Sequence, residues 1–248
     1  MTELPAVTVS EHDGVRYLHL DSPWVQGAMR IASPRWVELE YVQRMLAWLL
    51  WRPSEALGEG HAVQLGLGAG TVTRFCRQLG LRCTAVELNP GVIRAGRQWF
   101  RLPHDDDRLE IVNDDAQAWL EHAAAQSAQV LCVDLYDHEA AAPVLDSEPF
   151  YALCRGLLAH GGVMSVNLFG RRASFAASAA RIVRVFGATQ VWRLRPTREG
   201  NTVVIAARGV TVPDRETLLA RAAFIERHYG AFGLPARKWL RMVQPWSP

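Results

Sequence analysis

The chain has 248 residues (27.7 kDa), enough for one large domain with a small appendage. Half of it is hydrophobic (49%) and a fifth charged (21%), which excludes a disordered chain. Its 27 basic and 25 acidic residues leave a net charge of +2, with Lys238 as the only lysine, so the electrostatic footprint of a nucleic-acid binder is missing.

Residues 1–13 carry Glu3, Glu11 and Asp13 and no apolar run of signal-peptide length. The most apolar stretch, Val37 to Trp51, contains Glu38, Glu40 and Arg44 and does not read as a membrane span. A cytoplasmic setting away from membranes is therefore expected. Cys76, Cys83, Cys132 and Cys154 show no CxxC and no Cys/His ligand spacing, so they read as buried reduced thiols, with no metal site.

In chain order, Val7–Val9, Arg16–Leu20 and Val25–Ile31 read as short strands separated by turn signals at Asp13-Gly14 and Asp21–Pro23. We take residues 1–35 as a small antiparallel β-domain and 36–248 as the main domain with a helical tail. Leu39, Val42, Leu46 and Leu49 recur at helical spacing, which predicts one amphipathic helix ending before Pro53. From His61 strands and helices alternate. The strands are Ala62–Leu67, Cys83–Leu88, Leu109–Val112, Val130–Val133 and Val163–Leu168. The helices are Thr71–Leu79, Gly91–Phe100, Ala116–Ala125, Ser147–Leu158 and Ala173–Phe186. This alternation predicts an α/β fold with a mostly parallel sheet. Thr189–Leu194 and Thr202–Ala207 add a hairpin at the sheet edge. A last helix starts at Asp214 and buries Leu218, Ala222, Ile225 and Tyr229. Asp105–Asp107 reads as a solvated charge run, and Arg171-Arg172 as a solvated helix start.

Gly66-Leu-Gly68-Ala-Gly70 closes the first strand of the alternating region and opens a helix, whose free N–H groups and bare backbone suit a ligand. Glu87 ends the next strand, where a carboxylate reaches ribose hydroxyls across the switch point of an open sheet. The glycine spacing is not that of a dinucleotide fingerprint. Asp115, in the turn after the third strand, lies where the base would sit, so a single adenosine is favoured.

These motifs resemble those of the spermidine synthase (polyamine aminopropyltransferase) family, a branch of the Rossmann-like S-adenosylmethionine-dependent methyltransferase fold. The likeness spans roughly residues 16–208 and rests on Val25–Gly27, Glu38–Tyr41, Gly66–Thr71, Val86–Pro90, Asp115-Ala116, Val133–Asp137 and Leu145–Tyr151. It implies a seven-stranded sheet with a C-terminal antiparallel hairpin. It implies that Glu87 holds the ribose, Asp115 and Ala116 the adenine, and Gly66, Gly68 and Gly70 the donor's backbone cradle. Gln26 would meet the donor's sugar or thioether region. Asp134 would be the base facing the attacking amine, and Tyr41 and Asp137 would hold the acceptor. The implied reaction moves an aminopropyl group from decarboxylated S-adenosylmethionine to a diamine of the putrescine type, without metal, in a homodimer. One position departs from the family: Ala69 stands where an aspartate usually grips the donor's ammonium. Intact S-adenosylmethionine is therefore the alternative donor, and methyl transfer to a small acceptor the alternative reaction.

Overall fold

The computed structural model describes residues 4–135, 145–169 and 172–246. It opens with an antiparallel meander of β1 (Val7–His12), β2 (Val15–Leu20) and β3 (Val25–Arg30). Asp13 and Gly14 join β1 to β2 with φ of 50° and 74°, the double left-handed turn that matches strand twist. The meander buries Leu18 and Met29 against Leu67, Ala69, Phe100 and Leu102. Its inner face is thus a lid on the glycine loop, because three strands alone have too little apolar surface to stand free.

The helix expected to run to Pro53 is shorter. α1 (Glu40–Met45) gives way to a 3-10 segment, Leu46–Trp51. Leu46-Ala-Trp-Leu-Leu-Trp51 is buried on every side, so no polar face sets the helix's orientation, and tight packing of two tryptophans favours the narrower coil.

The alternating region follows as β4 (His61–Leu65), α2 (Thr71–Leu79), β5 (Arg82–Glu87), α3 (Pro90–Trp99), β6 (Leu109–Asn113), α4 (Ala116–His122) and β7 (Ala128–Val133). After it come α5 (Glu148–Leu157), β8 (Leu158–Phe169), α6 (Arg172–Phe186), β9 (Val191–Arg193) and β10 (Asn201–Ala207). The tail holds α7 (Arg215–His228), α8 (Ala236–Leu240) and β11 (Gln244–Pro245).

The sheet order is β11-β9-β10-β8-β7-β4-β5-β6. β4 pairs in parallel with both β5 and β7, so the chain first builds outward through β6 and then returns to the other side of β4. That reversal is the switch point where open α/β sheets bind ligands. β10 runs antiparallel between β8 and β9. The eighth strand is an addition to the seven expected. β11 is two residues long and ends in Pro245, a residue that suits an edge because its nitrogen cannot donate onward.

One face of the sheet carries α1, α2, α7 and α8, with Trp48, Phe75, Ile225 and Trp239 in the core. The other carries α4, α5 and α6, with Leu120, Phe150, Tyr151 and Ile182. Asp214 caps α7 as expected, its Oδ1 accepting from the Thr217 N–H at 2.7 Å. All four cysteines are buried and free. The acidic run is not simply solvated. Asp106 takes a two-pronged ion pair from Arg77 of α2, and Asp105 accepts from Arg97 of α3 at 3.1 Å. The run fastens the loop before β6 to both helices. Among the described residues, no helix is long and apolar enough to cross a membrane.

Candidate active site

The glycine loop leaves β4 with Gly66, Gly68 and Gly70 all in the left-handed region (φ 83°, 51° and 68°). Two of these positions are also closed to a side chain. A Cβ on Gly66 would stand 2.1 Å from the Asp134 carbonyl oxygen, and one on Gly68 would stand 2.9 Å from that of Gln26. The loop is thereby squeezed between the end of β7 and the start of β3. Gly70 is the N-cap of α2, whose first N–H groups face the loop.

Buried polar groups fix the loop from behind. Gln64 Nε2 donates to the Gly66 carbonyl at 2.6 Å and to that of Leu67 at 3.2 Å, while Thr73 Oγ1 donates to Gln64 Oε1 at 2.6 Å. Arg74 is buried and donates to the carbonyls of Ala69 (2.6 Å) and Phe100 (2.7 Å). Burial, with help from nearby Arg101, lowers the Arg74 pKa to about 10, so the guanidinium stays charged at neutral pH. The sequence reading gave neither Gln64 nor Arg74 a role. Their signal was a polar residue within an apolar strand and a basic one on a helix's inner face.

Glu87, at the end of β5, is half-buried. Oε2 accepts from Leu67 N–H at 2.9 Å and Oε1 from Asn89 N–H at 2.8 Å. Burial pushes its pKa up and these backbone donors pull it back. A carboxylate has about four acceptor positions, so these donors do not exhaust it. Asp115 N-caps α4, its Oδ1 accepting from the N–H groups of Gln117 (2.9 Å) and Ala118 (3.0 Å), with buried Ala116 opening the helix. Asn113 Nδ2 ties β6 to β5 through the carbonyls of Glu87 (2.8 Å) and Leu88 (2.9 Å), which sets Glu87 and Asp115 on neighbouring strand ends.

A narrow cleft opens beside the loop, and Gln26, Glu38, Tyr41, Gly68, Ala69 and Asp134 all line it. Glu87, Asp115, Gly66 and Gly70 do not line it. Ala69 is only 3% exposed and packs against Gly27 of β3. Asp134 follows β7, its N–H bonded to the Leu65 carbonyl at 2.9 Å. Burial raises its pKa, while hydrogen bonds from Asn167 Nδ2 (2.9 Å to Oδ1) and from the Tyr41 hydroxyl act in the opposite direction. Glu38 accepts from Arg30 Nε at 2.5 Å, and that guanidinium stacks 4.7 Å over Trp36. Asn167 is a third residue the sequence reading passed over. Asp137 and Arg171 lie outside the described residues. Among the described residues no cluster of His, Cys, Asp or Glu is arranged to hold a metal ion.

No protein-family model matches the chain. The polyamine aminopropyltransferase of Neisseria meningitidis serogroup A is 30% identical over 246 residues, covering 98% of this chain and 91% of that protein. Among solved structures, a probable spermidine synthase from Corynebacterium glutamicum superposes with a TM-score of 0.75 at 20% identity, over 98% of this chain and 92% of that one. Human methyltransferase-like protein 13 in complex with SAH gives 0.67 at 21% identity, over 85% and 96%. The sheet is that of the Rossmann-like methyltransferases, preceded by a three-stranded meander. With near-full-length identity to a curated relative, the chain belongs to the polyamine aminopropyltransferase family, a family of transferases.

Proposed function

We propose that the chain transfers the aminopropyl group of decarboxylated S-adenosylmethionine to a diamine. The near-full-length relationship to the polyamine aminopropyltransferases carries this reading, and the cleft joining Asp134 and Tyr41 to the glycine loop supports it. The donor's ribose lies on Glu87, its adenine beside Asp115 and Ala116, and its sulfonium end over Gly66–Gly70, near Gln26. The acceptor sits against Tyr41, Asp134 and Asp137.

A free amine has a pKa of about 10 and arrives protonated. Asp134 attracts that cation, orients it and takes up its proton. The amine nitrogen then attacks the aminopropyl carbon bonded to sulfur. A C–N bond forms, the C–S bond breaks, and the sulfur leaves as a neutral thioether with the bonding electrons. A placed carboxylate contributes roughly 10²–10⁴-fold through general base catalysis, and alignment of the two reactants contributes more.

The same reading assigns the protein to the cytoplasm as a homodimer with no metal and no nucleic-acid partner, and divides it at residue 35. Ala69 favours a second reading, methyl transfer from intact S-adenosylmethionine, because no loop carboxylate repels that donor's own carboxylate. Parallel calorimetry with the two donors, followed by an assay for thioether release with putrescine, separates them. Aminopropyl transfer requires binding of the decarboxylated donor and release dependent on the amine. Binding of the intact donor alone sinks it.

A further inference from the structure

Behind Asp134 stands a chain of side-chain amides. Asn167 on β8 is 4% exposed and points Nδ2 at Asp134. Its Oδ1 accepts from Asn201 Nδ2 at 3.2 Å. Asn201 opens β10, and its own N–H donates to Thr197 Oγ1 at 3.2 Å, with that hydroxyl 3.5 Å from Asn201 Oδ1. The antiparallel register sets Asn201 opposite Phe169 and Asn167 opposite Val203, so the two asparagines are diagonal neighbours on one face of the sheet.

This order has a chemical consequence. A buried asparagine beside a carboxylate has two orientations, one offering N–H and the other a repelling carbonyl oxygen. Asn201 decides between them, because a flipped Asn167 would turn its amide protons onto those of Asn201. Linked hydrogen bonds also polarise one another at low dielectric, strengthening the last one. We propose that Asn201 is a positioning residue that acts through Asn167 to hold Asp134 ionised and aimed at the cleft before the amine arrives. The proposal rests on the reading of Asp134 as the base.

The other groups facing Asp134, among the described residues, are few. Tyr41 donates to it from α1. Glu38 shares the cleft and is paired with Arg30 of β3. Cys132 lies two residues back on β7, its thiol pushed up by burial and by Asp134 itself. The glycine loop, β8 and β10 add no titrating side chain there. Among the described residues, loss of the amide donor therefore leaves Tyr41 to offset the burial that already raises the Asp134 pKa.

The test follows the Asp134 carboxyl by NMR of protein carrying ¹³C-labelled aspartate, in wild type, Asn201→Leu and Asn167→Leu. The signal is assigned by its loss in Asp134→Asn. Asn201→Leu should raise the carboxyl pKa by about 1 unit, and Asn167→Leu by more. The acid limb of kcat/KM should move up in parallel, about tenfold lower on that limb, with the high-pH plateau and donor affinity unchanged. Asn201→Ala serves if the leucine variant does not fold. An unchanged carboxyl titration in a folded Asn201 variant overturns the proposal, as does a fall in the plateau with no shift of the limb. A titration shifted in the variants, together with a wild type that transfers no aminopropyl group, leaves the relay standing and overturns the functional reading alone.

Discussion

Asp134 and Ala69 sit across one small cleft and ask different questions of it. Asp134→Asn keeps size and hydrogen-bonding reach but cannot accept a proton. Turnover should fall by at least ~10²-fold while calorimetry finds donor affinity intact. Retained turnover would falsify the assignment of Asp134 as base. Ala69→Asp should restore a bias toward the decarboxylated donor, attracting its ammonium and repelling the intact donor's carboxylate; the readout is the ratio of the two affinities. The Ala69 side chain packs against Gly27 and lines the cleft, while the Arg74 guanidinium is bonded to the Ala69 carbonyl. At this scale the sequence shows residues that end strands, since a strand end at the switch point is a place as well as an identity. Glu87 and Asp134 were legible for that reason. Asn167 and Gln64 were not, because a polar residue inside a strand gives no sign of its partner until β10 or α2 is folded against it.

The strand ends of β4 and β5 are joined by the Glu87 bridge to Leu67 and Asn89, so this carboxylate fastens the glycine loop. Glu87→Ala should weaken donor binding by about 1–3 kcal/mol, the worth of hydrogen bonds to a charged group. Equal affinity for both donors in the variant and the wild type, with unchanged unfolding, would remove Glu87 from the ribose site. At the other end of β4, His61 is buried between Thr84 and Arg82, and burial followed by the Arg82 charge lowers its pKa to about 4. A depressed pKa means the neutral form belongs to the fold. Its contribution is complete above the ordinary pKa of 6.5 and is lost as pH falls from there to about 4. Urea unfolding between pH 7 and 4 should therefore lose less stability in His61→Gln than in wild type; parallel curves would refute it. The alternation of β4 to β8 with their helices was readable, because each strand is a short apolar run covered on both faces and the helices between them are longer and amphipathic. The 3-10 segment Leu46–Trp51 and β11 were not. The first has no polar face to give a period, and the second is two residues that become a strand only by meeting β9.

The molecule as a whole is closed by its tail. α7 and α8 cover the sheet face that carries α1, and Trp239 of α8 is 1% exposed in the core that also holds Trp48 and Trp51. Trp239→Ala should cost about 3–5 kcal/mol, read by denaturant unfolding at equal m-value. The loss should lower the unfolding midpoint without changing donor affinity in the fraction that remains folded. A cost below 1 kcal/mol would mean that the tail is an ornament on an independently stable sheet. Nothing in the sequence pattern foretold that the last helix would brace α1. That brace also includes Lys238, whose Nζ lies 3.2 Å from Glu40 Oε1, one residue before Tyr41. As the chain's single lysine, it is the one side chain that an amine-directed dye can label. A fluorophore attached there would sit beside the helix that carries Tyr41 into the cleft, giving an optical probe of the cleft without any introduced cysteine.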